Sequence, residues 1–156
     1  MVRPKTRPPT LVNLQHNVCR LTHSEAQEVA GDGSFVEVAF DTELEDNGRF
    51  LEDGIITIPQ DGKYDVHVQG SFDAAAAPGQ FGLMIIRQRD EVDTTLAIVA
   101  VSNAADDNPS LQAEARSAPC EQGDKILVYA FQWSGAPVNL NAGAELSPLI
   151  IIRRVG

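Results

Sequence analysis

The stretch that decides the fold is Ile55-Ile56-Thr57-Ile58-Pro59-Gln60-Asp61-Gly62-Lys63-Tyr64-Asp65-Val66-His67-Val68. Its first residues form a short β-branched run that Pro59 ends, because proline donates no hydrogen bond to a β-ladder. Asp61-Gly62 can adopt the positive φ of a tight turn, and Tyr64 begins a return strand. The stretch therefore predicts a β-hairpin.

Short runs rich in β-branched and aromatic residues recur on both sides of this stretch, separated by Gly, Asn and Pro turn signals. No segment shows a sustained apolar period of about 3.6 residues, so helices are not expected. The chain is predicted to be all-β. The expected strands are residues 11–21, 34–40, 54–58, 63–72, 80–89, 95–102, 110–117, 124–133, 138–141 and 148–155.

Alternation assigns the faces of several strands, because successive side chains of a strand point to opposite sides. Tyr64, Val66 and Val68 share a face that we expect to be buried. The runs 126–131 and 149–152 are apolar on both faces instead. A lone sandwich leaves one face of each sheet to water, so two such strands indicate self-association.

The size and the net charge of the chain limit the classes of function that it can have. The chain has 156 residues and a net charge of -10, which fits one acidic domain that repels phosphate backbones. No nucleic-acid partner is expected. Apolar runs such as 96–101 and 149–152 are far shorter than the roughly 20 residues of a membrane-spanning helix. No membrane partner is expected either.

The N-terminal segment differs from the rest of the chain. Residues 1–24 carry Arg3, Lys5, Arg7 and Arg20 and no acid, and three prolines fall within the first nine positions. Proline favours extended chain and excludes helix. Residues 1–10 are therefore predicted to be an extended basic arm that docks on a neighbouring chain, and residues 11–156 to be the folded domain.

The order of these signals resembles the jelly roll of the tumour necrosis factor and complement C1q globular-head superfamily. The resemblance covers about residues 11–155, although 72–116 match only by strand count. It lies in these segments: Phe35-Val36-Glu37-Val38-Ala39-Phe40-Asp41-Thr42-Glu43, Asp46-Asn47-Gly48-Arg49-Phe50, Ile55-Ile56-Thr57-Ile58-Pro59-Gln60-Asp61-Gly62-Lys63-Tyr64-Asp65-Val66, Gln122-Gly123-Asp124-Lys125-Ile126-Leu127-Val128 and Ser147-Pro148-Leu149-Ile150-Ile151-Ile152. Ile58 to Tyr64 is the most specific part.

The resemblance implies a ten-stranded jelly-roll sandwich that forms a compact homotrimer and acts by binding rather than catalysis. No collagen repeat precedes the domain, which departs from secreted C1q proteins. The candidate trimer residues are Tyr129, Phe131 and Ile151. Trp133 lies in a loop-like composition, where an aromatic side chain can contact a partner or cap the core.

The sequence offers no catalytic motif and no cofactor motif. A cupin-like metal site needs closely spaced histidines, and His16, His23 and His67 are far apart. Cys19 and Cys120 lack metal and redox spacing, which favours unpaired structural thiols. The oxygen-rich segment 41–48 reads as a solvated turn that could hold calcium, but it lacks EF-hand spacing. We expect no enzyme activity, no cofactor and no bound metal.

Two functions remain open. The first is a structural assembly protein, made in the host cytoplasm and found on a virion, where it would be a trimeric capsid decoration or cement protein. Its basic arm would dock on a capsid or another repeating protein surface, in keeping with the absence of a secretion signal near residue 1. The alternative is an extracellular receptor- or glycan-binding head that contacts its ligand through the loops around Trp133 and Asp106-Asp107.

Overall fold

Thirteen β-strands and no membrane-spanning helix are found in the described residues of a computed structural model, which are 17–73, 75–142 and 148–156. Five of the strands have only two or three residues. The strands are β1 (Val18–Thr22), β2 (Gln27–Val29), β3 (Val36–Glu37), β4 (Thr42–Asp46), β5 (Leu51–Glu52), β6 (Ile55–Thr57), β7 (Gly62–Ser71), β8 (Gly79–Arg89), β9 (Val92–Asn103), β10 (Ser110–Cys120), β11 (Lys125–Trp133), β12 (Val138–Leu140) and β13 (Leu149–Arg154).

The strands form two large antiparallel sheets and one small pair. The five-stranded sheet has the order β10-β7-β13-β1-β4, and the second sheet has the order β5-β6-β11-β8-β9 with β3 also paired to β11. Strands β2 and β12 form the small pair. The buried apolar core draws side chains from both large sheets, Leu21 and Ile152 from one and Leu83 and Val128 from the other. The predicted all-β jelly-roll sandwich is confirmed.

The hairpin predicted at residues 55–68 is wrong. Strand β6 pairs with β5 and β11, whereas β7 pairs with β10 and β13, so the chain crosses from one sheet to the other here. Gly62 also lies outside the positive-φ region. One hydrogen bond ties the crossover to another segment, from Ile58 N to Asp124 O at 2.7 Å, and one lies within it, from Tyr64 Oη to Gln60 O at 2.7 Å.

Two tight hairpins occur at other positions. Asp53 and Gly54 have φ of 51° and 76° between the paired residues of β5 and β6. Asp90 and Glu91 have φ of 50° and 64° between β8 and β9. Positive φ at both central residues is the type I′ geometry, whose twist matches that of the flanking strands. The second hairpin joins two predicted strands without any glycine.

The acidic segment 41–48 also departs from the prediction of a solvated turn. Thr42–Asp46 is the edge strand β4, antiparallel to β1. The side chain of Asp46 accepts hydrogen bonds from the backbone N–H groups of Phe50 and Leu51 at 2.8 and 3.0 Å. Charged side chains suit an edge strand because they discourage further strand pairing.

The faces predicted for β7 are confirmed. Tyr64, Val66 and Val68 are fully buried, while Asp65 and His67 between them are partly exposed. Alternation is therefore a sound guide to burial in β7.

Strand β1 begins at Val18. Residues 11–16 of the predicted first strand lie outside the described residues, as does the whole predicted arm.

Candidate interaction surfaces

Strand β11 places three predicted contact residues on one face of its sheet. Tyr129, Phe131 and Trp133 alternate with Val128 and Ala130, which belong to the core. Tyr129 is half-buried and Trp133 is 49% exposed. Phe131 is only 3% exposed, yet it does not belong to the core cluster between the sheets. Its ring must therefore be covered from outside the sandwich.

The cover comes from Phe35, which lies just before β3. Its ring centroid is 5.2 Å from that of Phe131 and 6.4 Å from that of Tyr129, and Phe131 is 5.7 Å from Trp133. Each pair is edge-to-face, the arrangement that aromatic quadrupoles favour. Phe35 itself is 55% exposed. We call these four residues the aromatic face.

Two glycines fix the positions of these rings. Gly82 on β8 is directly opposite Phe131, and a Cβ at Gly82 would overlap the phenyl ring. Gly33 has a φ of 85°, and a Cβ there would overlap the indole of Trp133. Both rings thus pack on bare backbone, where a side chain of any size would displace them. The backbone beneath them therefore fixes where the rings of Phe131 and Trp133 lie in the aromatic face.

Ile151, the third predicted trimer residue, lies on the other sheet. It is half-buried on the outer side of β13, where it pairs with Arg20 of β1 and His67 of β7. A shallow cavity of about 320 Å³ opens there. Its lining, which we call the Ile151 face, consists of Val18, Asp65, His67, Glu114, Ile151 and Arg153. The structure therefore separates Ile151 from Tyr129 and Phe131 instead of joining them in one patch.

A second depression lies beside the aromatic face, where β3 and β6 both approach β11. It has a volume of about 310 Å³ and includes Tyr129, Ile55, Glu37 and Lys125 in its lining. Burial raises the pKa of Tyr129, and the nearby carboxylates of Glu37 and Asp93 add to the effect. The surroundings of Tyr129 are therefore partly desolvated and negative.

The two cysteines are free and buried. Burial raises the pKa of the Cys19 thiol to about 12, with a contribution from the carboxylate of Asp46. Burial likewise raises the pKa of Cys120 to about 11, with a contribution from Asp124. Because the thiolate is the nucleophile, thiols with such pKa values are unreactive at neutral pH. Both cysteines act as core residues.

Asp124 is held by a cluster of short polar contacts at the turn before β11. Its carboxylate is 2% exposed and accepts two hydrogen bonds from Arg89, at 2.8 and 2.7 Å, and one from the backbone N–H of Glu121 at 2.8 Å. Hydrogen bonding by Arg89 holds the pKa of Asp124 below its ordinary value. The contact ties β8 to the turn, so it is a structural ion pair.

Histidine and carboxylate groups have structural contacts too. His23 is 4% exposed, with ring nitrogens 3.2 Å from Ala39 O and 3.3 Å from Asn141 O. The carboxylate of Asp41 accepts hydrogen bonds from Ser24 and Thr42. In the part of the chain that the structure describes, no three His, Cys, Asp or Glu side chains are grouped as metal ligands. Outside that part lie His16 and the arm residues Arg3, Lys5 and Arg7.

Two antiparallel sheets packed face to face, in which most neighbouring strands are not consecutive in the chain, define a jelly-roll sandwich. No family model and no curated protein matches the chain. Solved structures do. A crystal structure of murine APRIL at pH 5.0 has a TM-score of 0.70 and 20% identity, covering 89% of this chain and 99% of that one.

The structure of Eiger TNF from S. frugiperda is also similar, with a TM-score of 0.64 and 15% identity over 90% of this chain and 93% of that one. Murine APRIL at pH 8.5 gives a TM-score of 0.60 and 20% identity over 89% and 99%. At these identities the likeness is one of fold. The chain has a TNF-like jelly roll, as its sequence resemblance implied.

Sequence reasoning missed one of the four residues of the aromatic face. It singled out Tyr129, Phe131 and Trp133, but it treated Phe35 only as part of a strand. Alternation within residues 34–40 could place Phe35 on the face opposite Val36, but it does not say which strand lies beside that face. The ring that covers Phe131 comes from a different part of the chain, so the sequence could not name it.

Proposed function

We propose that the chain is a non-enzymatic structural module that forms a homotrimer and decorates a virion, docking on the capsid or another repeating protein surface through Arg3, Lys5 and Arg7. The observation that supports self-association most directly is the Ile151 face. Val18 and Ile151 remain half-exposed on the outer side of a sheet, among the polar side chains that line the same cavity. A neighbouring subunit would cover these two apolar side chains.

A closed three-fold ring is built from heterologous contacts, which join two different surfaces of each subunit. The Ile151 face is concave and can receive part of a neighbouring subunit. Its charges suit such a contact, because Asp65 lies 3.8 Å from Arg153 and the two partly neutralise each other. Phe131, in contrast, is already covered within the subunit. We therefore assign the trimer contact to the Ile151 face.

Light scattering on the purified full chain tests the trimer. We expect a mass of about three times 16.8 kDa for the natural chain and for Val92→Asp, whose side chain is 65% exposed at a hairpin. Ile151→Asp should give a smaller particle, because a buried unpaired charge is costly at a contact. A thermal melt checks that Ile151→Asp still folds. A natural chain that is monomeric would refute the proposal.

Docking of the arm needs a separate measurement. Sedimentation with purified capsids should fall when Arg3, Lys5 and Arg7 are all replaced by Ser, while the mass from light scattering at low protein concentration stays the same. Added salt should weaken docking as well, because exposed charge contacts are screened. Equal sedimentation of the natural chain and the triple variant would argue against an arm-mediated role.

A second function is favoured by one observation. Trp133 is 49% exposed on the same face as the exposed ring of Phe35, a surface on which an aromatic side chain can anchor an external ligand. The chain would then be a receptor- or glycan-binding head. Such a head should change its Trp133 fluorescence when oligosaccharides are added, and it should keep its affinity without the arm.

A further inference from the structure

The aromatic face has no role in the proposed trimer, yet it exposes two large rings in the described part of the chain. Phe35 and Trp133 are 55% and 49% exposed, and Ile98 on β9 of the same sheet is 58% exposed. Removing such exposed apolar area from water favours binding. A surface of this kind, fixed on Gly33 and Gly82, is suited to bind a partner without rearrangement.

Carboxylates border the aromatic face. Asp32 directly precedes Gly33, which packs under Trp133, and hydrogen bonds from Ser34 hold the pKa of Asp32 below its ordinary value. Glu37 follows Phe35 in the same segment. Asp93 acts electrostatically on Tyr129, but it lies with Lys125 at the far end of β11, because both residues are in register with Gln88. Asp32 and Glu37 are therefore the carboxylates beside Trp133 and Phe35. The border is negative near the exposed rings.

This combination indicates the chemistry of the partner. Aromatic-lined surfaces bind proline-rich segments, whose restricted backbone loses little entropy on docking. Aromatic faces and carboxylates together bind Arg and Lys, through cation–π contacts and charge-assisted hydrogen bonds. A fitting partner is therefore rich in proline, carries positive charge and lacks acids.

The chain itself contains such a segment. Residues 3–9 read Arg-Pro-Lys-Thr-Arg-Pro-Pro, with three cations, three prolines and no acid. We propose that residues 3–9 of one copy dock on the aromatic face of a second copy, so that the face is the receptor for the arm. The inference rests on the docking role proposed for the arm and does not require the trimer.

The geometry favours a second copy over the same one. The described residues begin at Asn17, whose carbonyl accepts a hydrogen bond from Arg154 N in the five-stranded sheet, whereas the aromatic face lies on the outer side of the other sheet. Arg154 also donates to Asp61 O, and the side chain of Asp61 accepts from Gln122 N in the turn before β11, so Asn17 lies at the Lys125 end of the sandwich. Trp133 is at the other end of β11, roughly 26 Å from Lys125. From Asn17 to Pro9 the chain spans at most about 29 Å when fully extended. This is too short to cover the length of β11 and also to cross the roughly 10 Å between the two sheets.

Fluorescence provides a direct test, because Trp133 is the only tryptophan of the chain. The full chain carrying Arg3→Ser, Lys5→Ser and Arg7→Ser leaves the face free, and a synthetic peptide of residues 1–10 is titrated into it. We expect a saturable change in emission, with heat of binding seen by calorimetry. A peptide with the same three replacements should bind at least about tenfold more weakly.

A matched pair of variants locates the site. Phe35 and Leu44 are both 55% exposed, but Leu44 lies on β4 in the other sheet. Phe35→Ala should weaken peptide binding at least about tenfold, and Leu44→Ala should leave it unchanged. Both variants should fold, because each removes an exposed side chain. Raising the salt concentration from about 0.05 to about 0.5 M should weaken peptide binding both to the triple variant and to its Leu44→Ala derivative.

The outcomes separate the proposals. Neither heat nor emission change with the peptide would overturn the inference, and so would binding that Phe35→Ala leaves intact. An emission change with oligosaccharides but none with the peptide would also overturn it, since the occupant would be a glycan. If the natural chain and the triple variant have the same particle size at high concentration and also the same Trp133 emission, docking between copies is wrong. A monomer that binds the peptide would refute the trimer alone.

Discussion

Replacing Asp124 by Asn tests how much the buried ion pair contributes to stability. The substitution keeps the shape of the side chain and removes its charge. In the folded chain the carboxylate accepts two hydrogen bonds from Arg89 and one from the backbone N–H of Glu121, and it is 2% exposed. The amide that replaces the carboxylate can accept with one oxygen only, so at least one Arg89 contact is lost.

The expected loss of stability in Asp124→Asn follows from the burial of the carboxylate. Removing one partner of a fully buried ion pair costs about 3–5 kcal/mol, because the other charge stays buried without compensation. Arg89 is 32% exposed and can recover water contacts, so we expect a smaller cost of about 2–3 kcal/mol. For a chain of this length, 1 kcal/mol lowers Tm by about 2–4 °C. The variant should therefore melt roughly 4–12 °C lower at neutral pH.

The effect should depend on pH in a defined direction. Arg89 holds the pKa of Asp124 below its ordinary value, so the carboxylate stabilises the fold at pH above its unfolded pKa of about 3.9. This contribution is lost as pH falls through the lower folded pKa. Thermal melts of the natural chain and the variant should thus differ fully at pH 7, and the gap should close only well below about pH 4.

A control within the same cluster isolates burial. Glu121 also bonds to Arg89, at 2.8 Å, but its side chain is 62% exposed. Glu121→Gln should change stability by less than about 1 kcal/mol, as surface pairs do. If Glu121→Gln costs as much as Asp124→Asn, or if the Asp124→Asn gap stays constant down to about pH 2, the reasoning from burial is wrong.

Three further predictions concern the core and the aromatic face. Gly82→Ala should destabilise the fold by about 1–3 kcal/mol in denaturant unfolding, because the new Cβ overlaps the ring of Phe131. If the overlap is the cause, the double variant with Phe131→Leu should recover part of the lost stability. Cys19 and Cys120, whose thiol pKa values are raised, should resist iodoacetamide at about pH 8 in the native chain and react after unfolding. Mass spectrometry measures the labelling, and rapid labelling of the native chain would contradict their burial. Tyr64→Phe removes a 2.7 Å hydrogen bond to a crossover carbonyl and should cost about 0.5–1.5 kcal/mol in thermal unfolding, whereas no change would mean that the contact adds nothing.

Burial in the strands could be read from the sequence because side-chain alternation is local. Tyr64, Val66 and Val68 had to share a face wherever the strand was placed, and the structure buries all three. The same reasoning assigned Tyr129 and Phe131 to the side of β11 opposite Val128. The fold class followed from the number of such strands and from the resemblance to a known jelly roll.

Sheet membership could not be read in this way, because strand partners are distant in the chain. The segment around Pro59 looked like a hairpin, but β6 and β7 belong to different sheets. The acidic segment of β4 has poor strand propensity and becomes a strand only because β1 offers it an edge. Non-local pairing overrode the local signals in both cases.

The candidate surfaces show the same division. Alternation alone placed Tyr129 and Phe131 on one face of their strand, and this required no knowledge of the strand's neighbours. The packing of the two sheets was needed to show that Ile151 lies on the opposite side of the sandwich from these rings. The cover of Phe131 by Phe35 likewise came from the folded chain, because their contact joins residues far apart in sequence and only the fold brings them together.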